Sequence, residues 1–228
     1  MKKVTTGFLF AVIITAVGCQ MDIPNENVEP IVDPPPIVVI SRDSISSGNY
    51  LGLAIDEKAE NVYSAVQSLQ KSKGVTYLNV VSNFSTQFTD LQNRLALYQY
   101  ILLDESEGTD SGVQINLESG KVKSIYLNSG KQLTQWPEKL SDQSSVRVGD
   151  LAGQLYEKFV NIQSKNQYAP KFERILLATK DISLPYDPFM AKSPQWYFAY
   201  TVSADVHEMV QINFRDGRVS HLIVERYK

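Results

Sequence analysis

The sequence predicts an α+β fold: two tandem copies of a module in which one helix precedes a four-stranded antiparallel sheet. Three observations predict it. The segment Val113–Val122 aligns with Val210–Val219 at a separation of 97, with Val113, Gln114, Ile115, Asn116, Gly120 and Val122 identical in the second copy. The same separation pairs Gly52 with Gly149, Glu60 with Glu157 and Tyr100 with Tyr197, and one offset held over such a length marks a duplicated unit. Each copy also opens on a helical apolar stripe and closes on alternating strands that flank a glycine turn.

The elements follow in order. Met1-Lys2-Lys3 followed by an apolar stretch from Val4 to Val17 has the layout of a secretory signal, 1–18, with charge before a short apolar segment. That stretch falls short of the roughly 20 residues that span a bilayer. It ends in Ala16-Val17-Gly18-Cys19, similar to the lipobox of bacterial lipoproteins, with Ala16 where leucine is usual. Cys19 is the only cysteine. An exported chain with a single thiol has no internal disulfide partner, and acylation removes the liability of a free thiol. Lipid attachment at Cys19 is therefore expected. Gln20 after the cysteine resembles the pattern of lipoproteins sorted to the outer membrane of Gram-negative cells.

Residues 19–44 read as a tether. Pro24, Pro30 and Pro34-Pro35-Pro36 with Glu26, Glu29 and Asp33 favour extended chain over a core. At about 3.1 Å per residue, the segment from Gln20 to Ser44 reaches up to roughly 75 Å. Module copies are expected at 45–128 and 146–228, joined by a polar linker at 129–145 that holds Trp136-Pro137.

Within copy one, Ala59, Val62, Tyr63, Val66 and Leu69 form the helical stripe, with Asp56 placed to cap it. Copy two offers Leu151, Leu155, Phe159 and Ile162. Apolar runs at Val75–Val81 and Ile175–Ala178 supply the first strands. The next stretch is loop in copy two, where Pro185, Pro188 and Pro194 fall, whereas Phe88–Leu97 of copy one has room for a short helix. Tyr98–Glu105, Gly112–Leu117 and Lys121–Asn128 complete the first sheet; Gln195–Ser203, Met209–Phe214 and Arg218–Arg226 complete the second. Ser119-Gly120 and Asp216-Gly217 sit where a tight hairpin needs positive φ.

Strand alternation assigns two faces. Val113, Ile115, Leu117, Ile101 and Ile125 face the helix, as do Val210, Ile212, Phe214, Phe198 and Leu222; Trp196 joins them as packing. The opposite face carries Tyr100, Gln114, Asn116 and Tyr126 in copy one and Tyr197, Gln211, Asn213 and His221 in copy two. Gln and Asn on a wet antiparallel face are ordinary, but amides with tyrosines also suit a protein contact, because tyrosine buries area and still hydrogen-bonds.

This order, a glycine before the helix and two strand–Gly–strand hairpins, resembles the family of the β-lactamase inhibitor protein and the BamE-like outer-membrane assembly lipoproteins. The resemblance implies a protein that binds other proteins through sheet and loop surfaces. The chain departs from it in showing no second helix per copy. Trp196-Tyr197 through Gly217-Arg218-Val219 is similar to the closing strands of PepSY-type domains as well.

The sequence shows no catalytic constellation. Of the two histidines, His207 precedes Glu208 without the second histidine of a zinc-protease helix, so no metal is expected. There is no nucleophile elbow, phosphate loop or dinucleotide fingerprint, and no cofactor is implied. The oxygen-rich loop Asp104–Gly112 lacks the calcium-loop spacing and reads as a solvated hairpin turn. Without Lys2 and Lys3, the 22 Lys and Arg fall to 20 against 25 Asp and Glu, a net charge of −5 with no basic cluster. That excludes nucleic acid and an electrostatic grip on anionic lipid. The expectation is a non-enzymatic envelope lipoprotein, held to the membrane only by its lipid, whose sheet faces bind an envelope or extracellular protein. The alternative is a small-molecule or glycan binder using a groove between the modules near Trp136.

Overall fold

The strands form where alternation places them, yet they pair in an order that local sequence does not announce. A computed structural model describes residues 37–85 and 87–228. In chain order the strands are β1 (Val39–Ile45), β2 (Asn49–Tyr50), β3 (Leu53–Ala54), β4 (Tyr77–Val80), β5 (Phe84–Ser85), β6 (Tyr100–Asp104), β7 (Val113–Glu118), β8 (Lys121–Leu127), β9 (Gln132–Leu133), β10 (Gln135–Trp136), β11 (Val146–Arg147), β12 (Arg174–Leu177), β13 (Thr179–Asp181), β14 (Gln195–Ser203), β15 (Val206–Arg215) and β16 (Arg218–Tyr227). The helices are α1 (Ala59–Lys73) and α2 (Leu155–Gln163).

One six-stranded sheet runs β1-β16-β15-β14-β4-β13 and the other β5-β12-β6-β7-β8-β9. The first strand of each sequence copy therefore lies in the other copy's sheet: β4 pairs with β14, and β12 pairs with β6. The two sheets run into one another at the centre. Asn79 pairs with Thr179 on one side of the junction and Phe84 with Leu176 on the other. Between these pairs the Val80 N–H donates to the Ala178 carbonyl at 2.8 Å and the Leu177 N–H to that of Asn83 at 3.1 Å.

The helices follow the same exchange. The start of α1 is tied to the β15–β16 hairpin, through Ala59 N–H to Gly217 O at 3.0 Å and Asp56 N–H to Val219 O at 2.8 Å. The approach to α2 is tied to the β7–β8 hairpin, through Ala152 N–H to Gly120 O at 2.9 Å and Gly149 N–H to Val122 O at 2.8 Å. The folding units are thus permuted relative to the sequence repeat. One is contiguous, β6 to β12 with α2; the other is split between α1–β4 and β14–β16.

This corrects the expected fold class of two tandem helix-plus-sheet modules. The protein is mainly β, with 42% strand and 24% helix of all kinds, and only two α-helices among the described residues. The physical reason is the central pair: two apolar runs of adjacent elements, β4–β5 and β12–β13, satisfy their backbone groups against each other as well as against the hairpins on either side. Residues 37–228 form one compact unit, and both halves contribute to a single core cluster.

The apolar stripe of α1 is buried as its spacing predicts, and α1 ends at Gly74, whose φ of 70° and N–H to Gln70 O close the last turn. Asp56 is not its cap; the N-cap is Lys58, and the Gly217 carbonyl meets the helix start instead. α2 is shorter, nine residues after a 3-10 turn at Ala152–Gln154. Turn and helix together bury Ala152, Leu155, Phe159 and Ile162, and Leu151 before them is exposed. These four match Ala59, Val62, Val66 and Leu69 at a separation of 93, not 97. The separation returns to 97 at Leu78 and Ile175, because copy two holds four more residues between helix and strand, including a 3-10 turn at Ala169–Phe172. Gly149 therefore matches Asp56, both at positive φ, rather than Gly52.

At the entry to this unit, Val39–Ile45 is a strand paired along β16, so the sheet begins within the segment up to Ser44 that composition assigns to the tether. Phe88–Leu97, with its room for a helix, holds two 3-10 turns, Phe88–Leu91 and Leu95–Leu97.

Candidate binding face

Alternation along the joined sheets puts α1 and α2 over one face. Leu78, Val80, Ile101, Leu103, Ile115, Ile125, Ile175, Leu177, Trp196, Phe198, Ile212 and Leu222 are buried beneath them. The other face is open to solvent: Tyr77, Phe84, Ala199 and Thr201 on it are exposed. All eight residues assigned to it from sequence, Tyr100, Gln114, Asn116, Tyr126, Tyr197, Gln211, Asn213 and His221, lie half-buried between their strand neighbours.

Strand pairing brings these residues into two related rows. In the first, Leu176 faces Leu102, Leu102 faces Gln114, and Gln114 faces Tyr126. In the second, Asn79 faces Tyr197, Tyr197 faces Gln211, and Gln211 faces Ile223. Gln114 and Gln211 therefore occupy equivalent places, as do Asn116 and Asn213. The tyrosines do not. Tyr100 lies across from Asn116, whereas Tyr197 lies across from Gln211, so Tyr197 corresponds to Leu102 and Tyr100 to Gln195. The shift is two residues, which keeps both rings on the same face.

The amides of copy one are held. Gln114 Nε2 donates to Asn128 Oδ1 at 2.9 Å, Asn116 Nδ2 to Ser124 Oγ at 3.0 Å, and Thr179 Oγ1 to Asn79 Oδ1 at 2.9 Å. His221 stands where copy one has Ser124, and its Nδ1 engages Ser220 Oγ at 3.0 Å. Asn213 Nδ2 is left buried without a partner among the described residues. Burial raises the pKa of the Tyr100 phenol, so it is a hydrogen-bond donor at neutral pH. Near the centre the face turns apolar, with Phe84, Leu102 and Leu176, and the Arg174 guanidinium lies 4.2 Å over the Phe84 ring.

Buried polar clusters lie elsewhere among the described residues, and three of them were missed by sequence reasoning. Arg94 Nε donates to Asp187 Oδ2 at 2.9 Å, the Tyr98 hydroxyl donates to the same oxygen at 2.6 Å, and Phe189 N–H donates to Oδ1 at 3.1 Å. Asn83 Oδ1 and Ser85 Oγ accept from the rest of the guanidinium. Burial, then the Asp187 charge, drive the Tyr98 phenol far up, so it stays protonated. Glu208 accepts from Tyr50, Tyr200 and Arg226. Burial works to raise its pKa, but those hydrogen bonds outweigh burial and hold the carboxyl below the usual value. Lys180 lies under Tyr63 of α1 and donates to the Asp181 and Leu184 carbonyls. Burial pushes its ammonium down to about 8. Among the described residues none of the side-chain N or O atoms in these clusters is buried without a hydrogen-bond partner. No signal in the sequence marks them, since the partners lie up to 158 positions apart.

Trp136 is buried, with its ring 5.8 Å from Tyr168 and 6.2 Å from Phe172. It forms the wall of a cleft of about 510 Å³ that Glu138, Lys139, Tyr168 and Lys171 also line. The cleft lies beside β8 and β9 and is lined by Ser111 and Leu127 of the first sequence copy, by the 133–140 segment, and by Gln167, Tyr168 and Lys171 of the second copy.

No family model, curated protein or solved structure matches this chain. Among the described residues, no group of three His, Cys, Asp or Glu is placed to hold a metal, and no helix is long and apolar enough to cross a membrane. Cys19, the expected lipid site, lies outside the described residues.

Proposed function

We propose that the protein is a non-enzymatic envelope lipoprotein that binds another protein through its helix-free sheet face. One observation carries the reading. The faces of the two copies merge through the central β4–β5 and β12–β13 strands into one open surface, wider than either copy alone, on which half-buried tyrosines and amides surround the apolar Phe84, Leu102 and Leu176. Flat surfaces with an apolar centre, tyrosine and a polar surround suit protein contact. A partner in the envelope follows from the signal segment and Cys19, and the partner class follows from the resemblance to inhibitor-like and assembly lipoproteins.

The test is capture from envelope extract with the chain from residue 20 onward, compared with a variant carrying Tyr100, Tyr197, Gln114 and Gln211 all as Ala. The reading expects a partner retained by the first and lost by the second, with both melting at similar temperatures. The same partner on both removes the sheet-face reading.

A second reading rests on the cleft at Trp136, whose lining of Tyr168, Lys171, Glu138 and Lys139 suits a small polar ligand. Fluorescence titration with cell-wall fragments or sugars tests it. Saturable quenching that Trp136→Phe abolishes favours this reading over the first.

A further inference from the structure

Exposed aliphatic side chains concentrate where the chain enters the sheet. Ile37, Val38, Val39 and Ile40 are 78%, 56%, 59% and 54% exposed, and Val202 at the end of β14 is 50% exposed. Strand pairing places them at one end of four neighbouring strands. Val38 exchanges two backbone hydrogen bonds with Lys228, at 2.8 and 2.9 Å. Val39 faces Tyr227, Tyr227 faces His207, and His207 faces Thr201, next to Val202. We infer that this end of the sheet rests in the headgroup and acyl boundary of a lipid bilayer, so that the membrane meets the folded domain as well as its anchor.

Four features select lipid as the occupant. The patch is aliphatic on four successive residues, Ile37 to Ile40, of which the last two open β1, so both sides of the chain are apolar there, which suits a non-directional apolar medium better than a one-sided protein groove. A register shift between Val39 and Ser41 interrupts the strand within the apolar run, and such a bulge obstructs a partner strand adding along that edge. Tyr227, stacked on His207 with ring centroids 6.1 Å apart, and the Lys228, Arg226 and Arg42 side chains border the patch, the pattern of an amphipathic ring and long cationic stems at a membrane boundary. Finally, the apolar run begins 18 residues after Cys19, so the end of the sheet that carries it is the end at which the chain from the expected anchor enters the folded unit. The border charges are largely matched, Arg42 with Glu225 at 3.0 Å and Arg226 with Glu208 at 2.7 Å, so the contact is driven by apolar area and needs no anionic lipid. Seated this way, the strands stand on the membrane and the helix-free face looks sideways along it. The inference stands apart from the protein-binding reading, since it uses a different surface.

The single cysteine makes the test site-specific. The chain from Cys19 onward is coupled through that thiol to a maleimide-bearing lipid in phosphatidylcholine vesicles, some with brominated acyl chains. Val202→Trp reports on the sheet end and Val160→Trp on α2 of the other sheet; the native Trp136 and Trp196 are buried. The expected result is at least twofold quenching of the tryptophan at 202 by brominated lipid, unchanged in high salt, with none at 160. Adding Val38→Asp and Ile40→Asp is expected to abolish the quenching without lowering the melting temperature. Equal quenching at both positions, no quenching at 202, or quenching that survives the aspartates overturns the inference. So does self-association without lipid that the same aspartates abolish, because a second copy would then be the occupant. Loss of partner capture by the sheet-face variant leaves this readout untouched, so the two readings fail separately.

Discussion

Asp187→Ala removes the acceptor at the centre of a buried cluster that joins the two sequence copies. Arg94 and Asp187 retain only 7% and 1% side-chain exposure, so the pair is screened little by solvent. With Asp187 gone, the guanidinium keeps Ser85, Asn83 and the face of Phe189 at 4.0 Å but loses its counter-charge. The Tyr98 hydroxyl and Phe189 N–H lose their acceptor as well. Removing one partner from such a pair costs about 3–5 kcal/mol, a large share of the roughly 5–15 kcal/mol that holds a domain folded. Replacing both charges, Arg94→Met with Asp187→Leu, leaves no orphaned charge and is expected to cost less than Asp187→Ala alone. Urea unfolding followed by tryptophan fluorescence measures both. A loss below about 1 kcal/mol for Asp187→Ala, or a double variant less stable than the single, would refute the claim that this pair ties the copies together.

Other outcomes follow from the same geometry. Separate chains 37–128 and 146–228 each part a helix and strand from the hairpin they pack on, so neither is expected to show a cooperative thermal transition by circular dichroism; a sharp melt for either contradicts the strand exchange. Glu208→Gln is expected to cost about 1–2 kcal/mol at pH 7 through weakened charge-assisted hydrogen bonds. Because the folded carboxyl titrates below its ordinary value, that contribution is full above about pH 4.5 and fades as pH falls through the folded pKa, so the gap in melting temperature between the wild type and Glu208→Gln is expected to be smaller at pH 3 than at pH 7. Lys180 has the opposite sense. Its folded pKa of about 8 lies below the unfolded value of 10.5, so stability gains as pH rises between them. Lys180→Met is expected to stabilise the protein by about 1–2 kcal/mol at pH 7 and to flatten that slope, read from melts at pH 7 and pH 9.5.

What was legible in the sequence was what is local. The β7–β8 and β15–β16 hairpins follow from period-two alternation and a glycine turn, and the buried stripe of α1 from its helical spacing. The alternation also put all eight face residues on the correct side of the sheet. Partner choice is not local. That β4 joins β14 and β12 joins β6 depends on contacts a hundred residues apart. The repeat itself misled at two points: the chance matches of Gly52 with Gly149 and Glu60 with Glu157 concealed four residues inserted after α2. Likewise the different lengths of the β6–β7 and β14–β15 connections moved Tyr197 two places from the position of Tyr100. Arg94 with Asp187, and Glu208 with Tyr50, are invisible until the fold brings them together, because neither pair leaves a motif.

The reading turns on whether the helix-free face is where a partner sits. A photo-crosslinking amino acid placed at Tyr126, at Tyr197 and, as the comparison, at exposed Val160 of α2 tests this in intact cells. The account predicts that both face positions, one in each sheet, crosslink to the same protein and that position 160 does not. Crosslinks from position 160 alone, or different products from 126 and 197, would contradict a single continuous binding face.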